Sequence, residues 1–286
     1  MNTVARALAQ ARVLGVDRLD AQVLLAHALG RPRTWVIAHD DAALDDTQAA
    51  ALRGLIARRA QGEPLAYLLG EREFHGLRLR VTPDVLVPRP DTETLVDWAI
   101  ELLAPLPAPR VIDLGTGSGA IALAVKHACP HAEMHASDVS ASALAVARSN
   151  AQALDLGVTW HHGSWWEAVP PLRFDLVLSN PPYVAAADPH LLDLRHEPAM
   201  ALTPAGDRGD GLADIERIVA AAPGRLAAMA WLLLEHGAEQ GQAVRACLDR
   251  AGLGAVGTRA DLAGRPRVTA GRRGPEFADG FWQHPR

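Results

Sequence analysis

The residues with the clearest chemical potential stand together at the end of an apolar run. Phe174-Asp175-Leu176-Val177-Leu178-Ser179 leads directly into Asn180-Pro181-Pro182-Tyr183. The run reads as a buried strand, so the four residues after it emerge at one edge of a sheet. A proline disfavours the αR region for the residue before it, which holds Asn180 and Pro181 extended. Neither proline carries an N–H. The loop is therefore stiff and rich in acceptors. A planar NH2 group laid against it can donate one hydrogen to the Asn180 side-chain oxygen and the other to a proline carbonyl. Its nitrogen then faces an electrophile from a set direction, and the Tyr183 ring can stack on the planar group. Asn180, Pro181 and Tyr183 are the candidate catalytic residues, with Pro182 as a further substrate contact.

A second constellation lies upstream. Arg110-Val111-Ile112-Asp113-Leu114 reads as a strand, and Gly115-Thr116-Gly117-Ser118-Gly119 follows it before a helix. Glycines allow a tight turn and close approach of backbone to a ligand. The spacing is GxGxG, not the GxGxxG of the dinucleotide fingerprint. Asp138 ends the next strand, in Ser137-Asp138-Val139-Ser140. An acid there faces the same cleft and can accept both hydroxyls of a ribose, a logic shared by dinucleotide and S-adenosylmethionine sites. Alone, an Asp at a strand end is more often a helix cap, with Ser140 as a rival cap. Its pairing with the glycine turn favours the ligand role.

The elements that must position these groups fall into three stretches. Residues 1–73 carry helical periodicity, as in Val4, Leu8, Ala11 and Leu14, or Leu24, Leu25, Ala28 and Leu29 before Gly30. A small helical bundle is expected there. Residues 74–90 form a bridge, with a strand-and-turn pattern around Gly76 and then Pro83, Pro88 and Pro90. Asp91 or Thr92 is expected to cap a helix reaching Leu103. From there to residue 286, strands and helices alternate, which predicts an α/β unit with a parallel sheet and two closing strands near 255–259 and 267–270.

Composition narrows the partners. The chain has 286 residues, a net charge of −5 and 49% hydrophobic residues. That excludes a disordered chain and argues against gripping nucleic acid through bulk charge. Arg supplies the positive charge apart from Lys126. Nine Arg and nine acids balance within residues 1–75, so the helical region is no basic clamp. Cys129 and Cys247 stand far apart, which indicates neither a disulfide framework nor a zinc site. His75, His161, His162 and His236 lack ligand spacing, and no metal is expected. Arg265, Arg267, Arg272 and Arg273 read as a solvated basic face. The N-terminus lacks a signal-peptide pattern, and no apolar run approaches the ~20 residues of a membrane span, so a cytoplasmic location without a membrane partner is expected.

Longer stretches carry a resemblance. Gly62-Glu63-Pro64-Leu65-Ala66-Tyr67-Leu68-Leu69-Gly70-Glu71-Arg72-Glu73-Phe74, Val87-Pro88-Arg89-Pro90-Asp91-Thr92-Glu93, Glu197-Pro198, Asp210-Gly211-Leu212 and Leu234-Glu235-His236-Gly237 closely resemble the bacterial release factor glutamine methyltransferases. The resemblance implies a Rossmann-like class I methyltransferase domain, with a mostly parallel sheet and a closing antiparallel strand, behind a helical substrate-recognition domain. It implies transfer of a methyl group from S-adenosyl-L-methionine to the glutamine N5 of the Gly-Gly-Gln motif in peptide chain release factors, with no stable nucleic-acid partner. Asp113, Gly115, Thr116, Gly117, Ser118, Gly119, Asp138 and Asn180 would then meet the cofactor. The family also has a Trp after the third strand that lines the cofactor. Here Trp165 and Trp166 are adjacent, and the match of Ser164 and Trp165 to the two preceding positions favours Trp166. The segment Thr203-Pro204-Ala205-Gly206-Asp207-Arg208-Gly209 looks longer than the family pattern and is expected to shape the substrate entrance. Other readings stay open: a paralogous enzyme acting on a ribosomal protein, a nucleic-acid amino methyltransferase, and a nicotinamide-dependent oxidoreductase or silent nucleotide-binding module.

Overall fold

A computed structural model describes residues 2–275. The remainder of the region expected to run to 286, and Met1, lie outside the described residues. Helices α1 (Val4–Val13), α2 (Arg18–Leu29), α3 (Arg33–Ala38), α4 (Asp46–Ala60) and α5 (Leu65–Leu69) make up the N-terminal region. Two-residue strands β1 (Asn2–Thr3) and β2 (Ala43–Leu44) pair beside them. Val4, Ala11, Leu24, Leu25, Val36, Leu52 and Ile56 close a core of their own. Asp45 and Gln48 form a reciprocal capping box at the start of α4.

The bridge opens with a hairpin of β3 (Glu71–Phe74) and β4 (Leu77–Arg80), whose turn residues His75 and Gly76 both take positive φ. It starts within the stretch expected to be helical, at Glu71. Tyr67 then packs with Val81, Val85, Val87, Ala143 and Val146, and its hydroxyl donates to the Val85 carbonyl at 2.5 Å. The bridge is thus clamped to both of its neighbours.

The remaining elements are α6 (Glu93–Leu103), β5 (Arg110–Leu114), α7 (Ala120–Ala128), β6 (Glu133–Asp138), α8 (Ala141–Ala153), β7 (Thr159–His162), β8 (Phe174–Ser179), α9 (Ala213–Arg225), β9 (Leu226–Glu235), α10 (Gly241–Arg250), β10 (Gly254–Ala260) and β11 (Pro266–Arg272). The sheet order is β10-β11-β9-β8-β5-β6-β7. Strands β7, β6, β5, β8 and β9 run parallel, while β11 pairs antiparallel with both β9 and β10. Side chains alternate faces along a strand. Val111, Leu176 and Leu178 join α6 and α7 on one side, and Ile112, Leu114 and Val177 join α9 and α10 on the other.

The chain winds outward from β5 through β6 and β7, then returns to β8 on the other side of β5. In sheets of this kind ligands bind beyond the carboxyl ends of the strands where the winding reverses. Both motifs sit there: the glycine turn leaves β5, and Asn180 leaves β8. Ser179 lies opposite Leu114, and its hydroxyl donates to the Leu114 carbonyl at 2.6 Å. Among the described residues no helix is long and apolar enough to cross a membrane.

Two local expectations fail. Neither Asp91 nor Thr92 caps α6 with its side chain. Residues Pro90–Thr92 form a 3-10 turn ahead of the helix, and the Thr92 hydroxyl is engaged elsewhere, as the acceptor for Asn180. The basic C-terminal face is not a free one. Arg267 is 9% exposed and pairs with Asp91 and Asp261, each at 3.1 Å, while the Arg272 guanidinium lies over the Trp231 ring.

Candidate active site

The glycine turn is shaped by its backbone. Gly115, Gly117 and Gly119 all have positive φ. The N–H groups of Gly115 and Thr116 both donate to the Ser137 carbonyl at 2.9 Å, which ties the turn to the end of β6. A Cβ on Gly115 would stand 3.1 Å from the Trp165 ring, so the turn needs glycine to admit that indole. A Cβ on Gly119 would crowd Ala147 at 3.2 Å, where α8 packs closely.

Two carboxylates support the turn. Asp138 accepts from the N–H of Gly117 through Oδ2 and from the N–H of Ser140 through Oδ1, each at 2.8 Å. Burial raises its pKa, and those backbone donors oppose the rise. Ser140 is the cap of α8 through its own hydroxyl, which leaves Asp138 lining the cavity. Asp113 is completely buried. Its Oδ2 accepts from the Thr116 hydroxyl at 2.6 Å, while Oδ1 has no partner in full hydrogen-bond geometry. Burial pushes its pKa up to about 7, against the pull of the Thr116 hydroxyl and the Ala122 N–H.

A cavity of about 540 Å³ opens over these groups, lined among others by Gly115, Gly117, Asp138, Trp165, Asn180 and Pro182. A smaller one lies between the glycine turn and the bridge, lined by Leu86, Pro88, Arg89, Thr92, Thr116, Ser118 and Asn180. The Pro-rich segment therefore borders the cleft. Asn180 belongs to both cavities. Its Nδ2 donates to the Thr92 hydroxyl at 3.3 Å, so its Oδ1 is the atom left for a donor from the cavity.

Trp166 does not line the cavity; Trp165 does. Trp166 is 6% exposed, packs near Phe174 and donates its Nε1 to the Ile218 carbonyl at 3.0 Å. Trp165 takes φ of 40°, turning its ring onto Gly115, and its Nε1 donates to Asp214 at 3.2 Å. Tyr183 also departs from expectation. It lines neither cavity: its ring packs against the core on the α9 side, and its hydroxyl donates to Glu235 at 3.3 Å. Burial raises the Tyr183 pKa. Pro181 is buried, and neither it nor Gly119 lines either cavity.

Sequence reasoning missed several neighbours. Asp214 is 4% exposed and joins Trp165 to Arg217, whose Nη1 reaches it at 2.9 Å. Glu197 accepts from the Val87 N–H at 3.0 Å and pairs with Arg89, so one carboxylate holds the excursion after β8 against the bridge. Pro198 and Met200 of that excursion line the large cavity, and so do Thr203 and Ala205 of the 203–209 segment. Its own position depends on the N-terminal region, because Arg195 and His196 both donate to the Gln61 carbonyl.

Known proteins share this arrangement. The PrmC N-terminal domain family matches residues 1–70, and the methyltransferase small domain family matches residues 93–206. A release factor glutamine methyltransferase of Bordetella pertussis is 53% identical over 260 residues, covering 90% of this chain and 95% of its own. One from Xylella fastidiosa is 47% identical over 269 residues, covering 93% and 97%. The solved 16S rRNA N2 G1207 methyltransferase of T. thermophilus, in complex with AdoMet and guanosine, shares the fold at a TM-score of 0.53 and 19% identity, over 71% of this chain and 49% of that one. With identity of this order along almost the whole length, the chain belongs to the family of release factor glutamine methyltransferases.

Proposed function

We propose that this protein transfers a methyl group from S-adenosyl-L-methionine to the side-chain amide N5 of the glutamine in the Gly-Gly-Gln motif of peptide chain release factors. The observation that carries this reading is the orientation of Asn180. Its NH2 is committed to Thr92, and its oxygen is left for a substrate N–H at the cavity it shares with the glycine turn and Asp138.

The residues present fit the cofactor. Asp113, buried beneath the glycine turn, accepts from the Thr116 hydroxyl and holds the turn in shape. Gly115 is shaped around the Trp165 indole, and the large cavity falls within the ~300–1,000 Å³ of small-molecule sites. Asp138 would hold the ribose hydroxyls, the turn at 115–119 would offer its backbone, and Trp165 would wall the base. Bound there, the cofactor supplies a methyl group on a cationic sulfur.

The chain's own residues then have a limited task. An amide nitrogen is a weak nucleophile because its lone pair is delocalised. Asn180 Oδ1 and a carbonyl of the Pro181-Pro182 pair accept its two hydrogens and hold the nitrogen in line with the methyl group. Such positioning is the source of rate, with no base needed before attack. The surplus proton leaves to water afterwards. Pro182, Val85, Leu86 and Met200 line the cavity and limit water at the reacting centre.

Residues 1–73 take the role of recognising the protein substrate. Support comes from their separate core and from the Gln61 contacts to the excursion that walls the cavity. Mass spectrometry of a release factor incubated with enzyme and S-adenosylmethionine is the test. A single added methyl on the Gly-Gly-Gln glutamine is the expected result. An unmodified factor, beside a methylated ribosomal protein or RNA under the same conditions, would refute it.

A further inference from the structure

Trp165 stands in the cleft at a backbone cost. Its φ of 40° lies in the left-handed region, which a bulky residue rarely adopts and which persists only where the surroundings over-determine it. Two contacts fix its ring. The benzo edge, Cζ3 and Cη2, lies against Gly115, where a Cβ would stand 3.1 and 3.3 Å from those atoms. At the pyrrole edge, Nε1 donates to Asp214 Oδ1 at 3.2 Å.

The second contact selects an orientation. An indole N–H only donates, so the direction of this bond is fixed. The Cβ–Cγ torsion of a Trp side chain is broad and roughly two-fold. Turned by half a revolution, the ring would point its N–H away from Asp214. Asp214 is well placed to prevent that. It is the second residue of α9, in the first turn, where a negative side chain is favoured, and it is 4% exposed. Arg217, one turn on, donates to the same Oδ1 at 2.9 Å and holds the carboxylate from the side of the solvent. Asp214 and Arg217 both border the large cavity, so α9 supports this wall from outside the glycine turn.

We propose that Asp214 is a positioning residue: it acts through Trp165 Nε1 to hold the indole in the orientation that walls the cleft, without itself binding the cofactor. The proposal rests on the proposed function, because bound S-adenosylmethionine is what gives the Trp165 wall its use.

The test couples the two residues. Calorimetry measures S-adenosylmethionine affinity in the wild type, Asp214→Ala, Trp165→Phe and the double variant. Asp214→Ala should weaken binding about tenfold with Trp165 present, and less than about twofold in the Trp165→Phe background. Asp214→Asn keeps an oxygen for the indole and should stay within about threefold of the wild type. A second readout needs no cofactor. The indole N–H resonance missing from the NMR spectrum of Trp165→Phe belongs to Trp165. It should move upfield and exchange faster with solvent in Asp214→Ala, and stay near its place in Asp214→Asn. An equal affinity loss in both backgrounds would mean that Asp214 meets the cofactor directly or only supports the fold, and would overturn the proposal. So would an unmoved resonance, or wild-type affinity in Asp214→Ala. If Asp214→Ala does not fold, Asp214→Leu, which fills the vacated volume, carries the same expectations and the same refutations. A wild-type protein that binds no S-adenosylmethionine would instead refute the proposed function, which the resonance in the free protein does not depend on.

Discussion

The two walls of the cleft are built alike and behave differently. Behind the glycine turn stands Asp113, and behind Asn180-Pro181-Pro182-Tyr183 stands Glu235. Each carboxylate is completely buried near the end of a strand and accepts one hydroxyl, Asp113 from Thr116 and Glu235 from Tyr183. Burial pushes each pKa up to about 7. The difference is in what surrounds them. Asp113 lies under a turn with positive-φ glycines and accepts from Thr116 within that turn. Glu235 accepts from Tyr183, so it ties the far end of the Asn180–Tyr183 loop to the end of β9.

The largest effect should come from the wall that orders the substrate. Asn180→Ala removes the acceptor while Pro181 and Pro182 keep the backbone in place. Single-turnover transfer at saturating cofactor should fall by ~10²–10³, with little change in cofactor binding. An equal loss of cofactor affinity would erase the division between the walls. On the other side, Asp138→Ala should weaken cofactor binding about ten- to a hundred-fold, because it removes a charged acceptor worth ~1.5–3 kcal/mol. Calorimetry on the folded variant checks it.

A pH series on stability sharpens the comparison. Both buried groups have pKa values raised in the fold, from 3.8 and 4.5 to about 7. The folded state therefore holds protons that the unfolded state has lost. Their contribution to stability is complete below about pH 4 and declines as pH rises through about 7, by at most about 1.4 kcal/mol per pH unit for each group. Asp113→Asn and Glu235→Gln should each flatten the denaturation profile over this range. With saturating cofactor, the Asp113 share should vanish from the wild type and the Glu235 share should persist. If both shares vanish together, the two walls are not independent.

The smallest effect concerns the link to the N-terminal region. Arg195→Ala loosens the excursion from Gln61 and leaves both walls untouched. KM for an intact release factor should rise by roughly two- to fivefold, with kcat and cofactor affinity nearly unchanged, as for one exposed hydrogen-bonded contact. A larger change in cofactor affinity than in KM would place the excursion with the cofactor wall.

Much of the site was legible because its signals are local. A run such as Phe174–Ser179 has the length and apolarity of a buried strand, a Pro-Pro pair dictates backbone directly, and a GxGxG turn between strand and helix has few other uses. The alternation of elements after residue 110 was enough to foresee the order of strands and helices. What the local pattern missed were choices between adjacent or distant side chains. Trp165 and Trp166 have the same composition, and only a left-handed backbone at Trp165 decides which ring faces the cleft. Thr92 looks like a helix cap in sequence. Its hydroxyl goes instead to a residue 88 positions away. Arg267 looks like surface charge until Asp91 and Asp261 are seen to enclose it.

By itself, then, the sequence determined the order of elements, the separate helical region, the resemblance to a family and the two loops that meet at the cleft. These follow from periodicity, apolar runs and the φ preferences of Gly and Pro, which act within a few residues. Only the tertiary structure decided that Trp165 walls the cavity, that Tyr183 turns away from it, and that Glu197 and Gln61 hold the excursion in place. It also decided which end of Asn180 is free. Those outcomes depend on hydrogen-bond direction and burial between parts of the chain far apart in sequence. Such contacts exist only once the chain has closed loops of tens of residues.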